Sequence, residues 1–172
     1  MRLDTFKKPV DSVVAAICIV VMASLVICVV WQVFSRWVLN APSTFTDEIA
    51  RFSMIWVGLL GAAYTVGAQR HLAIDLFIAH LTGTKARVAT IYTNLCILAF
   101  SASAMIWGGI HLATRVYQSG QVSPAMQVPM AYVYVVLPLS GIIMAFYSVL
   151  FIGDAIVHFH DEPEQKLPEE NN

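Results

Sequence analysis

Four long stretches without a formal charge constrain this chain more than any other feature. There are 24 such residues between Asp11 and Arg36, 18 between Arg51 and Arg70, 27 between Arg87 and Arg115, and 38 between Arg115 and Asp154. A helix crossing the hydrocarbon core of a bilayer needs roughly 20 mostly apolar residues. Lipid offers no partner for bare backbone, so such segments must be helices or closed barrels. Barrel strands would alternate apolar and polar residues, and these runs do not. The pattern predicts an all-α membrane protein with four tilted transmembrane helices, at about 12–37, 48–69, 88–116 and 129–154. Together they form a single domain over residues 1–159.

Composition narrows the function. Of the 172 residues, 58% are hydrophobic and 12% charged, against about 25% charged in soluble domains. A net charge of −1 leaves no footprint for nucleic acid. Cys18, Cys28 and Cys96 lie inside apolar runs and read as small buried hydrophobes. The charged start, Arg2 to Lys8, resembles the lead of a signal peptide. The apolar run behind it exceeds the roughly 7–15 residues of a cleaved segment, so it reads as a retained first span. The acidic tail over 160–172 is expected to be disordered.

Lys and Arg placement sets the expected orientation. With the N-terminus inside, the inner segments hold Arg2, Lys7, Lys8, Arg70, Lys85, Arg87 and Lys166. The outer loops hold Arg36, Arg51 and Arg115. Both termini then face the cytoplasm, and the outer loops are 37–46 and 116–128. Trp31 and Trp37 mark the outer end of the first span, where indoles favour headgroups. Thr44 with Asp47 matches a capping box at the start of the second span. Asp47 and Arg51 are four apart on one helix face, acid first, the favourable order. Pro138 lies within the fourth span and should kink it. Between spans two and three, residues 72–82 read as a short interfacial helix, with Ile74, Phe77, Ile78 and Leu81 on one face.

The spans carry no ionisable residue at depth. A transporter that acts alone usually places one there to hold solute or ion. Small residues instead recur at helix-contact spacing: Gly58 with Ala62, Ala104 with Gly108, and Gly141 with Ala145, with Gly61 beside the first pair. They serve either internal packing or docking against another membrane protein. His71 and Asp75 share a helix face beside Arg70, more as a turn clamp than as a catalytic dyad. No His-Glu-x-x-His pattern, metal-spaced Cys/His cluster or phosphate loop occurs. No catalytic, metal or substrate-binding residue and no cofactor is expected, and the chain does not read as an enzyme.

Residues 34–75 carry a resemblance. The stretch Phe34-Ser-Arg36-Trp-Val-Leu-Asn40-Ala-Pro42-Ser-Thr-Phe45-Thr-Asp47-Glu48-Ile-Ala-Arg51 resembles the loop after the first helix of the TRAP transporter small permease subunit, the DctQ family. Trp56-Val-Gly58-Leu-Leu-Gly61-Ala62-Ala63 resembles that family's second helix. Arg70-His71-Leu-Ala-Ile-Asp75 resembles its cytoplasmic signature. Leu81-Thr82 departs from the Leu-Pro of many members.

The resemblance implies the small membrane subunit of a tripartite, cation-coupled secondary transporter, usually driven by sodium, in a bacterial inner membrane. Its solutes would be carboxylates such as sialic acid or C4-dicarboxylates. Its partners would be membrane lipids, a large elevator-type membrane subunit (DctM family) and a periplasmic substrate-binding protein (DctP family). On this reading Arg36, Asn40, Asp47, Glu48 and Arg51 form a docking rim, while Arg70, His71 and Asp75 form a cytoplasmic contact. The rim charges either pair with one another or meet charges on the binding protein. The alternatives are a stand-alone four-helix transporter and an accessory subunit of another membrane complex.

Overall fold

The computed structural model describes residues 3–68 and 84–157, with side chains over 7–68 and 88–156. The proposed interfacial helix at 72–82, the contact of Arg70, His71 and Asp75, and the acidic tail lie outside the described residues. Among those residues, four helical spans are long and apolar enough to cross a membrane.

Helix α1 runs unbroken over Leu3–Trp37, with Pro9 inside it. It therefore extends well ahead of the first charge-free run. α2 covers Thr44–Gly67. The third span has three parts: α3 at Thr84–Phe100, a π-helical segment at Ser101–Trp107, and α4 at Gly108–Gln118. The wider turn redistributes backbone carbonyls, and local hydroxyls bind two at its start. Ser101 Oγ donates to the Leu98 carbonyl at 3.0 Å, and Ser103 Oγ to that of Ala99 at 2.6 Å.

The fourth span is α5 (Ala131–Tyr134) followed by α6 (Val136–Val157). The break falls at Val135, not at Pro138 itself. Proline has no N–H for the carbonyl four residues back, and its ring crowds that turn. Here that carbonyl belongs to Tyr134, the last residue of α5.

α6 is the central post. It contacts α1, α2, α3, the π segment, α4 and α5, while α1 packs chiefly along α2. Lipid tails are as apolar as leucine, so close backbone approach matters more here than apolar burial. A Cβ on Gly109 would lie 2.8 Å from Pro138 Cδ, and one on Gly141 2.8 Å from Met105 Cβ. A Cβ on Gly67 would lie 2.6 Å from the Tyr147 ring.

Ala63, Val66, Met105, Met144 and Tyr147 form the core, with Ala62 packed against it. Tyr147 has no exposed surface and donates to Asp11 Oδ1 at 2.5 Å. Lys7 lies 4.0 Å from the other Asp11 oxygen and 5.4 Å above the Phe151 ring. Asp11 lies outside the first charge-free run, and the longer helix carries it to the Tyr147 hydroxyl. The outer faces stay apolar: Val20, Ile27 and Val30 of α1 are all more than 60% exposed.

Candidate functional site at the loop end

At the end of the bundle opposite Tyr147, the start of α2 and the α4–α5 loop meet. The α1–α2 turn and this loop are each shaped by their own backbone. After Trp37 the chain reverses through Asn40, at φ 50°, and the Ala41 N–H returns to the Ser35 carbonyl at 3.1 Å. Asparagine tolerates this left-handed conformation better than most residues.

The second loop leaves α4 through Gly120, at φ 64°. It then folds into a small hairpin joined at Val122 and Pro129. Ser123 N–H donates to the Val128 carbonyl at 2.9 Å, and Met130 N–H to that of Gln121 at 3.0 Å. Residues 124–126 form its tip, and Gln127, at φ 56°, closes that turn with its N–H on the Ser123 carbonyl at 3.1 Å.

Glu48 fastens this hairpin to α2. Its carboxylate accepts from Ser123 Oγ at 2.7 Å, the Ala125 N–H at 2.7 Å and the Met126 N–H at 2.9 Å. The residue is 8% exposed, and Ser123 is fully buried. A buried charge is tolerable only when paired or hydrogen-bonded. Here the polar groups of a loop some 75 residues away satisfy it.

Asp47, the adjacent carboxylate, points elsewhere. Its Oδ1 accepts from Gln32 Nε2 of α1 at 2.6 Å, and its Oδ2 pairs with the Arg51 guanidinium. The capping box is absent. Thr44 is the first helical residue, the N-cap Ser43 makes no side-chain cap bond, and Asp47 turns towards Gln32 and Arg51 instead. The competing charge and amide draw its carboxylate away from the helix end.

The five rim residues thus divide. Asp47 and Arg51 pair, Glu48 binds the hairpin, Asn40 shapes the turn, and Arg36 is exposed on α1. Between α2 and the hairpin a cleft of about 530 Å³ opens. Asp47, Arg51, Phe52 and Ile55 line it from α2, and Pro124 and Met130 from the other side.

The small residues also divide. Gly141 is buried, Gly108 and Ala145 are half-buried, and Ala104 is exposed. A Cβ on Gly58 or Gly61 would meet nothing within 4 Å. Sequence spacing missed Gly67 and Gly109, both in close contact with a neighbouring helix. It also missed the hairpin as Glu48's partner, because no local pattern encodes a bond across so many residues.

Fold and site together define a multi-pass membrane protein in which the start of α2 is tied to the hairpin of the α4–α5 loop. The family model described as "Tripartite ATP-independent periplasmic transporters, DctQ component" matches residues 25–157. The chain belongs to this family, one of transporter permease components and not of enzymes.

Among its relatives is the "Sialic acid TRAP transporter small permease protein SiaQ" of Vibrio cholerae, 30% identical over 67% of this chain and 66% of that protein. The "C4-dicarboxylate TRAP transporter small permease protein DctQ" of Rhodobacter capsulatus is 27% identical over 59% of this chain and 44% of its own length. The "Isethionate TRAP transporter permease protein DctMQ" of Oleidesulfovibrio alaskensis is 29% identical over 61% of this chain and only 16% of its own length. The chain therefore matches less than two thirds of the length of each of these relatives.

Proposed function

We propose that this chain is the small membrane subunit of a cation-coupled, sodium-driven TRAP transporter for a carboxylate solute such as sialic acid or a C4-dicarboxylate. It sits in a bacterial inner membrane with both termini cytoplasmic and its loop end in the periplasm. It widens the fixed scaffold of a large elevator-type subunit and offers its rim to a periplasmic substrate-binding protein. An elevator domain can translate only against a stationary frame, and a bundle with apolar outer faces suits such a frame.

The observation that carries the reading is the Glu48 clamp. It ties the start of α2 to the hairpin of the α4–α5 loop at one end of a DctQ-family bundle. Arg36 and Arg115 stand exposed at this end and are free to meet acidic groups. Rim charges of this kind set encounter rate more than affinity.

The test is co-expression with a DctM-family subunit and the binding protein, followed by reconstituted uptake. Arg36→Glu with Arg115→Glu should slow docking and uptake while leaving the melting temperature unchanged. Unaltered uptake would remove the docking role. Failure to co-purify with the large subunit, or solute transport by this chain alone, would remove the scaffold role.

A further inference from the structure

The rim cleft has a graded chemistry along the bundle axis. Asp47, Arg51 and Ile55 follow one another at four-residue steps on one face of α2, and all three line it. Each step advances roughly 6 Å along the helix. Moving inward from the loop end, the cleft therefore presents an acid, then a base, then an apolar wall completed by Phe52 and Met130. Its volume of about 530 Å³ falls within the roughly 300–1,000 Å³ of small-molecule sites.

We propose that this cleft binds one ethanolamine phospholipid, its ammonium on Asp47, its phosphate on Arg51 and its first acyl carbons against Phe52, Ile55 and Met130. An ethanolamine lipid carries these groups in the same order: ammonium outermost, phosphate next, hydrocarbon deepest. The protein groups have capacity to spare. Arg51 is 71% exposed and spends part of its five-donor fork on Asp47. Asp47 is 33% exposed, and its oxygens have lone pairs beyond those used by Gln32 and Arg51. Glu48 is committed to the hairpin and forms the wall.

Charge argues against the other common headgroups. The lining holds Asp47, Glu48 and Arg51, a net of one negative charge, which disfavours an anionic glycerol lipid. A choline headgroup has no N–H to donate to Asp47. A bound lipid would bridge α2 and the hairpin, adding a second tie beside the Glu48 clamp.

The test uses the full-length chain alone in detergent, so its outcome is separate from that of the transporter reading. Native mass spectrometry would compare retention of ethanolamine, glycerol and choline phospholipids with identical acyl chains. Ethanolamine lipid should be retained about tenfold over either rival, the weight of one charge-assisted contact. Asp47→Asn should erase most of that preference, while Arg51→Gln, which removes the partner of a phosphate common to all three, should lower retention of all three lipids together. Ile55→Trp, which fills the apolar end, should abolish the adduct.

Equal retention of the three lipids, a preference untouched by Asp47→Asn, or total retention untouched by Arg51→Gln would overturn the proposal. If Ile55→Trp prevents folding, the Asp47→Asn and Arg51→Gln comparisons decide by themselves. A benzophenone side chain at Ile55 that captures a protein subunit in membranes, and not lipid, would assign the cleft to a protein and equally overturn it.

Discussion

The two ends of the bundle are both locked by a hydrogen-bonded acid, yet by opposite means. At the loop end Glu48 takes two of its three bonds from backbone N–H groups of a hairpin. At the other end Asp11 takes a bond from the Tyr147 hydroxyl, and Gly67 leaves room for the ring. The first lock reads the backbone of a loop and tolerates change in most of that loop's side chains. The second depends on one ring fitting one gap. The loop end can therefore vary in surface chemistry while keeping its shape, as the proposed docking role requires. The Tyr147 end fixes how α1, α2 and α6 meet.

The largest effect should come from closing the gap beneath Tyr147. Gly67→Val puts carbon where the buried ring now lies, forcing it out and breaking the Asp11 bond. Overpacking of this kind should cost about 3 kcal/mol, read as a lower melting temperature in detergent. A fall no greater than that from Gly58→Val, where nothing lies within 4 Å, would refute the tight fit.

Glu48→Ala comes next. It strips three donors of their acceptor and should lower the melting temperature less than Gly67→Val. Hydrogen exchange at the Ala125 and Met126 amides should rise sharply while Val66 stays protected. Unchanged exchange at those two amides would show that the hairpin does not depend on the clamp.

Tyr147→Phe keeps the ring and removes one bond to a carboxylate, so about 1–2 kcal/mol should be lost. The smallest change should follow Arg51→Gln. Its pair with Asp47 is largely solvent-exposed, and such i,i+4 pairs contribute only about 0.3–0.5 kcal/mol. A loss at Arg51 matching that at Tyr147 would mean the two ends are not built as described.

Much of this architecture is legible in the sequence, for identifiable reasons. Charge-free runs reveal spans because charge at depth is expensive, and this holds whatever the helices touch. Asp47 and Arg51 reveal their pairing because their spacing is local. Small-residue spacing is a weaker guide. Gly58 faces open space while Gly67 and Gly109 meet neighbouring helices, since a motif marks a face without naming what lies against it. The π segment at Ser101–Trp107, which packs against α6, is likewise hidden, because it carries no composition of its own.

The sequence by itself determined that the chain is a set of membrane-crossing helices with its charges held towards their ends. Only the tertiary structure decided that Glu48 leaves its neighbours for Ser123, Ala125 and Met126, and that Asp11 joins Tyr147 inside the bundle. The physical reason is one of range. Burial energy acts on each residue in turn and leaves its mark in composition. A hydrogen bond between distant residues exists only once helix packing has brought donor and acceptor within 3 Å.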